Sequence, residues 1–359
     1  MDAVRLDMAV FGSTPMAKLL AGILAGTHGK RVVLIGESDA AFRLTRGADL
    51  SVAPITRPET WALLSRTVPE TLRLVARAGA KAGFARIDPI FYARGSLGSE
   101  ALAHVRHAAA GFGHAAERIP SQALGQGYDG LLLRDAVLLV RPQLEPLLDT
   151  WLRSLGVLSL ARSQTRVEMR PGGGVSIASE SGMEAERAVL ADDEAILAHM
   201  DASKLQRIAA LADMTSILTE PAQPLASPFM MEIEEDAHLL QRASGSITAI
   251  ALGSAPDAVS TVGRLLARQQ HLRRAGQVTF TRLIPRDGAP LVGRVADGPL
   301  ILAGLGLFGA FLSPAIGRWI CGSASPNEEA WFAAHRPGRN FTNSSVAEVM
   351  SARAIEAAA

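Results

Sequence analysis

Three groups of residues in this chain of 359 have the types and spacing to do chemistry. The first is Gly12-Ser13-Thr14-Pro15-Met16-Ala17, between an apolar run (Leu6 to Phe11) and a segment of helical periodicity (Met16 to Ala25). A dinucleotide site needs a sharp turn after a strand, backbone close to a pyrophosphate, and a helix N-terminus aimed at its charge. In the G-x-G-x-x-G/A pattern that meets these needs, Gly12 is the first member and Ala17 an allowed third. Thr14 replaces the central glycine and puts a Cβ where the pyrophosphate would approach. Glu37 lies 25 residues beyond Gly12, after the apolar run Val32 to Ile35, and its carboxylate can accept hydrogen bonds from ribose hydroxyls. These residues alone leave two readings open, a dinucleotide site and an ordinary α/β turn without a ligand.

The second group is His104 and His107, spaced i and i+3, with His114 nearby. No acid or cysteine completes a metal-ligand set, so a solvated helix face is the better reading. The third is Asp192-Asp193-Glu194, whose carboxylates would suit a divalent ion except that consecutive side chains point different ways. Serines and histidines are present, but no G-x-S-x-G elbow is. Met230-Met231 reads as apolar core rather than a ligand pair. The single cysteine, Cys321, excludes a disulfide framework, a CxxC redox pair and a multi-cysteine zinc site.

Positioning these residues falls to a chain that opens as strand, turn, helix, strand, a βαβ unit. Pro15 suits the first turn of its helix, where a missing N–H costs nothing. Val32 to Ile35 is the uninterrupted apolar run of a buried parallel strand. Periodicity predicts helices over 57–79 and 142–154, with a strand at 157–160 between the second helix and a meander. Residues 84–135 are mixed. The meander runs Thr165 to Arg170, Val175 to Ser179 and Ala185 to Ala191, joined by Pro171-Gly172-Gly173-Gly174 and Glu180-Ser181-Gly182. From Phe229 alternation predicts antiparallel strands over 229–235, 237–243 and 247–252. A helix over 256–276, a strand over 277–284 and a turn at Asp287-Gly288 follow. Residues 298–317 carry no charge and are long enough to span a membrane, but their prolines and glycines favour strand, turn and helix start. The rest is polar and Ala-rich, with a last helix expected from Val346; the 335–359 tail suits a partner-binding helix or disorder equally. There is no internal repeat.

Composition removes further classes. Apolar residues make up 48% and charged residues 20%, which excludes disorder and a coiled-coil rod. Lys+Arg 36 against Asp+Glu 35 leaves no basic surplus to neutralise a phosphate backbone, so nucleic acid is not expected as a main partner. Met8 to Thr27 lacks the basic start and cleavage site of a signal peptide, and Lys18 interrupts it. A cytoplasmic protein with no membrane span is expected.

The C-terminal third carries a family resemblance. Arg282-Leu283-Ile284-Pro285-Arg286-Asp287-Gly288-Ala289-Pro290-Leu291-Val292-Gly293 is similar to the R-P-x-T-P-D-G-x-P-x-x-G run of the D-amino-acid oxidase family, which includes glycine oxidase and sarcosine oxidase. Leu300 to Gly309 and Ser313-Pro314-Ala315-Ile316-Gly317 resemble its G-H-G-x-x-G and A-P-A-I-G ending. Leu139-Val140-Arg141-Pro142 resembles the V-D-P that precedes a long helix, and Ala188 to Ala191 the strand before an A-A-G turn. The likeness runs from residue 1 to about 335.

The resemblance implies an α/β fold: a Rossmann-like FAD-binding domain with an inserted antiparallel α+β substrate domain. Residues 1–84, 136–215 and 287–335 would form the first, 85–135 and 216–286 the second, and 336–359 a tail. It implies non-covalent FAD on Gly12, Ser13, Thr14, Pro15, Met16 and Ala17, with Glu37 on the ribose, Ser38 and Arg46 beside it, and the Val167 backbone near the adenine. Gly304, Gly306, Leu307, Phe308, Gly309, Ala310 and Phe311 would pass the ring, with a helix from near Phe311 aimed at it. Hydride would pass from a Cα–H beside an amine to flavin N5, Arg282 would hold a substrate carboxylate, and no side chain would be an obligatory catalyst.

Departures from the family pattern are Thr14, the acids at 192–194, and leucine at 305 or 307 where the pattern has histidine. None of the four lysines (Lys18, Lys30, Lys81, Lys204) stands where some members place one over the flavin. The expectation is therefore oxidation of a small amine or amino acid with electrons passed to another acceptor, a dehydrogenase rather than an oxygen-using oxidase. The alternative is a family member without chemistry, serving as a subunit or binding partner of another protein. An NAD-dependent enzyme would account for the βαβ opening but not for the 304–317 ending.

Overall fold

The computed structural model describes residues 4–37, 43–125, 127–178, 182–267, 272–340 and 347–349. The opening is β1 (Val4–Phe11), α1 (Pro15–Gly26) and β2 (Val32–Gly36), with β1 and β2 parallel from Met8 opposite Val32 to Phe11 opposite Ile35. Alternate residues of both strands face opposite ways. Met8, Val10, Val32 and Leu34 enter a core beneath the helices, while Ala9, Phe11, Val33 and Ile35 enter a second core on the other face. With both faces covered, a period of two reads in sequence as one apolar run. Arg141–Ser154 lies against α1 so closely that a Cβ on Gly22 would fall 2.0 Å from the Trp151 ring.

Six strands form the main path of the first sheet, in the order Leu291–Arg294, Leu300–Ala303, Met183–Leu190, β1, β2, Leu158–Ala161. All neighbours are parallel except the first pair. Val175–Ile177 pairs antiparallel with Met183–Ala185, and Val167–Met169 pairs antiparallel with Val175–Ile177 to complete the meander.

The second sheet runs Arg274–Pro285, Ala209–Pro221, Ser246–Leu252, Ala237–Gln241, Phe229–Glu232, Ile90–Ala93, Asp129–Leu133, Ala116–Ile119. It is antiparallel apart from the pair of Phe229–Glu232 with Ile90–Ala93. Ala209–Pro221 pairs along its length with Arg274–Pro285, so the expected division at 215/216 falls inside one strand of this sheet. The mixed α/β architecture, with a parallel sheet and an antiparallel one, agrees with the expected fold class.

Three local expectations are corrected. The helix over 256–276 is Ala255–Leu265, and Arg274 to Gly276 are strand, paired with Thr219 and Leu218. Cross-strand bonding there overrides helical periodicity. Among the described residues the last helix is Pro326–Ala334, opened by a capping box between Ser325 and Glu328 that the Ser-Pro-Asn-Glu spacing announces. The helix expected near Phe311 begins at Gly309. Most of the helix expected from Val346 lies outside the described residues; Val349 pairs with Ile55 in a lone bridge. Among the described residues no helix is long and apolar enough to cross a membrane.

Candidate functional site

The first turn is tight because Gly12 has φ +151°, and a Cβ there would lie 2.9 Å from both Ala17 Cβ and Asp192 Oδ2. Gly12 N donates to Ile35 O (2.9 Å), and Glu37 N donates to Ser13 Oγ (2.9 Å), which ties the turn to β2. Thr14 caps α1 by accepting from Ala17 N (3.3 Å), and Pro15 supplies no donor. Ser13 N donates to Asp192 Oδ2 (2.7 Å). The other oxygen of the same carboxylate accepts from Ala195 N (2.9 Å), capping the helix Asp193–His199. A carboxylate of the chain itself thus sits at the N-terminal end of α1, where backbone N–H groups attract an anion.

The neighbouring acids point elsewhere. Glu194 is met by Arg46 (2.7 Å), Arg162 (3.0 Å) and Arg43 (3.8 Å), and Arg43 also reaches Glu37 (3.1 Å). Arg46 lies over the Phe280 ring at 5.6 Å. Asp193 accepts from Leu283 N (3.2 Å). It keeps a window on the cavity described next, yet lies deep enough that lost hydration pushes its pKa up to about 6, against the pull of Arg282.

Two adjoining cavities follow from this turn. One of about 190 Å³ is lined by Ser13, Thr14, Arg43, Arg46, Glu194 and Arg242 among others. The second, of about 170 Å³, lies where the carboxyl ends of the parallel strands meet the second sheet. Its floor is the turn after Leu300–Ala303, where Gly306 (φ +50°) carries no side chain into it, while Gly304 (φ +68°) leaves room for Pro285, 2.4 Å from where its Cβ would be. Leu305 and Leu307 form its apolar wall, and Gly309 and Ala310 bring the start of Gly309–Ile320, which no side chain caps. Met214, Met231, Ile250 and Phe280 close it from the second sheet.

Arg282 enters this cavity from the second sheet. Its Nη1 meets Asp236 Oδ2 at 3.2 Å and Oδ1 at 3.4 Å, while Nη2 lies 3.9 Å from where a Cβ on Gly306 would be. Asp236 is buried and held at φ +48°. His238, stacked on Phe229 at 5.6 Å, is lowered to about 4 by burial and stays neutral. Arg141 reaches across to buried Asp49 at 2.8 Å.

Of the expected residues, Ser13, Thr14, Met16, Arg46, Arg282, Gly304, Gly306, Leu307, Gly309 and Ala310 line one or both cavities. Gly12, Pro15, Ala17, Phe308 and Phe311 are buried and line neither cavity. Glu37 stands at the end of β2 in its pair with Arg43, and Val167 packs against the second core from the meander. Ser38 lies outside the described residues. The sequence reading missed Asp236, His238, Arg141 and Asp49, which come together only through strand pairing and helix docking. Met231, assigned to core, is a cavity wall as well. His104 Nε2 donates to Thr56 O (3.0 Å), and the His114 ring lies 5.2 Å from Trp61.

No protein-family model and no curated protein sequence matches the chain. Solved structures match along nearly its whole length. L-proline dehydrogenase from P. horikoshii superposes with TM-score 0.70 at 14% identity, covering 94% of this chain and 98% of that one. Glycine oxidase from Bacillus cereus gives 0.69 at 15%, covering 94% and 99%. Glycine oxidase from Geobacillus kaustophilus gives 0.66 at 15%, covering 90% and 96%. The chain has the fold of these proteins, and the resemblance drawn from the 282–317 motifs is borne out at the level of fold.

Proposed function

We propose that this chain is an FAD-dependent oxidoreductase that oxidises a small amine or amino acid. The observation that carries the reading is the cavity in which a glycine turn at the carboxyl ends of the parallel strands faces Arg282 and an apolar wall from the second sheet. The same fold serves glycine oxidase and L-proline dehydrogenase at matching length. The residues present fit a flavin at the ring end. Gly306 admits close approach, and the uncapped N–H groups of Gly309–Ile320 favour negative charge in front of them. Ser13 to Met16, Glu37 and Arg46 would hold the remainder, non-covalently. When bound, FAD supplies the hydride acceptor.

The chain's own residues would do the positioning. Asp236 fixes the Arg282 guanidinium through Nη1 and leaves Nη2 to orient a substrate carboxylate. Asp193, with a pKa near neutrality, would take the proton that a substrate ammonium must lose before its C–H bond is broken. Met214, Met231, Ile250 and Phe280 keep water from the reacting carbon. None of the four lysines lines either cavity, which supports delivery of electrons to an acceptor other than oxygen.

The test is an absorbance spectrum of the purified chain after incubation with excess FAD and gel filtration, followed by amine and amino-acid screens with a dye acceptor and with oxygen. Flavin bands and dye reduction support the reading. A chain that stays colourless at saturating FAD overturns it. The second reading, a member of the fold without chemistry that serves as subunit or partner, is favoured by the Asp192 carboxylate on the Ser13 N–H.

A further inference from the structure

A pyrophosphate at the first turn of this fold would need donors at the N-terminus of α1 and an approach free of negative charge. Both are altered here by groups of the chain itself. Pro15 deletes one N–H, Thr14 Oγ1 engages that of Ala17, and Asp192 Oδ2 engages that of Ser13 at 2.7 Å. The same Oδ2 stands 2.9 Å from the position of a Cβ on Gly12, so the carboxylate packs directly against the tight turn that a pyrophosphate would have to approach. The carboxylate is anchored from both sides, because Oδ1 caps the helix Asp193–His199 through Ala195 N at 2.9 Å. The nearby cations offset it only weakly. Arg43, Arg46 and Arg162 pair with Glu194, and of these Arg162 also favours the Asp192 charge, against the burial and the Glu194 charge that push the Asp192 pKa up.

We infer that Asp192 is the residue that sets dinucleotide affinity in this chain, acting as a built-in competitor that pyrophosphate must displace from the end of α1. The inference rests on the flavoprotein reading above and deepens it. FAD is then held weakly and exchanges with the free pool, and the chain works as a loosely loaded flavoprotein. A carboxylate and a pyrophosphate cannot share the Ser13 N–H without like-charge repulsion at hydrogen-bond distance.

The experiment is a titration of FAD against wild type, Asp192→Ser and Asp192→Asn, read by quenching of flavin fluorescence, with riboflavin as a second probe that has no phosphate. Serine keeps a capping oxygen for Ala195 N and removes the charge; asparagine keeps the shape and removes the charge, with its one oxygen left to accept from either Ser13 N or Ala195 N. Circular dichroism confirms that each variant is folded, and either variant alone decides the question. The expected result is FAD binding at least tenfold tighter in Asp192→Ser, a smaller gain in Asp192→Asn, and riboflavin affinity unchanged in both. If wild type binds FAD and the variants bind it no better, or FAD and riboflavin shift together, the inference falls while the flavoprotein reading stands. If no form binds either flavin, both fall.

Discussion

Replacing Asp193 with asparagine should make the protein more stable at neutral and alkaline pH than the wild type. The carboxyl sits beside Arg282 with Leu283 N as donor, yet burial outweighs both and lifts its pKa from 3.8 to about 6. A carboxyl that holds its proton longer in the folded chain than in the unfolded one contributes stability at low pH. That contribution is lost as pH rises from about 4 through 6. At about 1.4 kcal/mol per pH unit, the ionised form costs the fold at most about 3 kcal/mol, since Asp193 keeps a window on the cavity. Asparagine resembles the protonated acid and keeps an oxygen for Leu283 N, so it does not incur that cost. Urea unfolding of both proteins, followed by tryptophan fluorescence, gives the difference in stability at each pH. It should widen in favour of Asp193→Asn by about 2 kcal/mol between pH 4 and pH 8. A difference that stays flat within about 0.5 kcal/mol, or that favours wild type more at high pH, refutes the reasoning.

Other expected outcomes concern the site and its frame. Arg282→Ala should raise KM for a carboxylate substrate by the equivalent of roughly 2–4 kcal/mol while leaving an amine without a carboxylate little affected; equal KM values for both enzymes would remove that role. Gly36→Ala places a Cβ 2.4 Å from Gly12 O, a backbone atom that cannot swing away. It should cost about 1–3 kcal/mol in thermal or urea unfolding and weaken flavin binding; wild-type stability would contradict the geometry. Both ring nitrogens of buried His335 face acceptors, Trp331 O at 2.6 Å and Glu348 Oε2 at 2.8 Å, and Thr60 donates to the other oxygen of Glu348. Glu348→Ala strands two buried polar groups and should cost roughly 2–4 kcal/mol, whereas Glu348→Gln can donate to a neutral His335, accept from Thr60, and stay near wild type. Equal losses in the two variants, measured by urea unfolding, would show that the hydrogen bonds are not what holds residue 348.

The βαβ opening was legible because its signals are local. An apolar run that must be covered on both faces, a glycine that must bend sharply at φ +151°, and a proline allowed in a first helical turn all lie within Val4 to Gly36. The 304–317 segment was legible for the same reason, whereas Arg282 was singled out only through the resemblance of the 282–293 run to a family motif, and it does line the cavity. Two features escaped because they depend on neighbours distant in the chain. Arg274 to Gly276 looked helical by periodicity, but hydrogen bonding to Leu218 and Thr219 made them strand. Asp236, His238 and Asp49 carry no motif and gather around Arg282 and Arg141 only when two sheets and a helix close one cavity. The acids at 192–194 were visible in the sequence as a departure from the family pattern, but three adjacent carboxylates have no direction until the fold gives them one. Packing turned Asp192 onto the Ser13 amide, Asp193 into the cavity and Glu194 toward three arginines. Residue types and local backbone preferences are written in the chain; which charge meets which donor is decided by the long-range pairing that brings residue 192 beside residue 13.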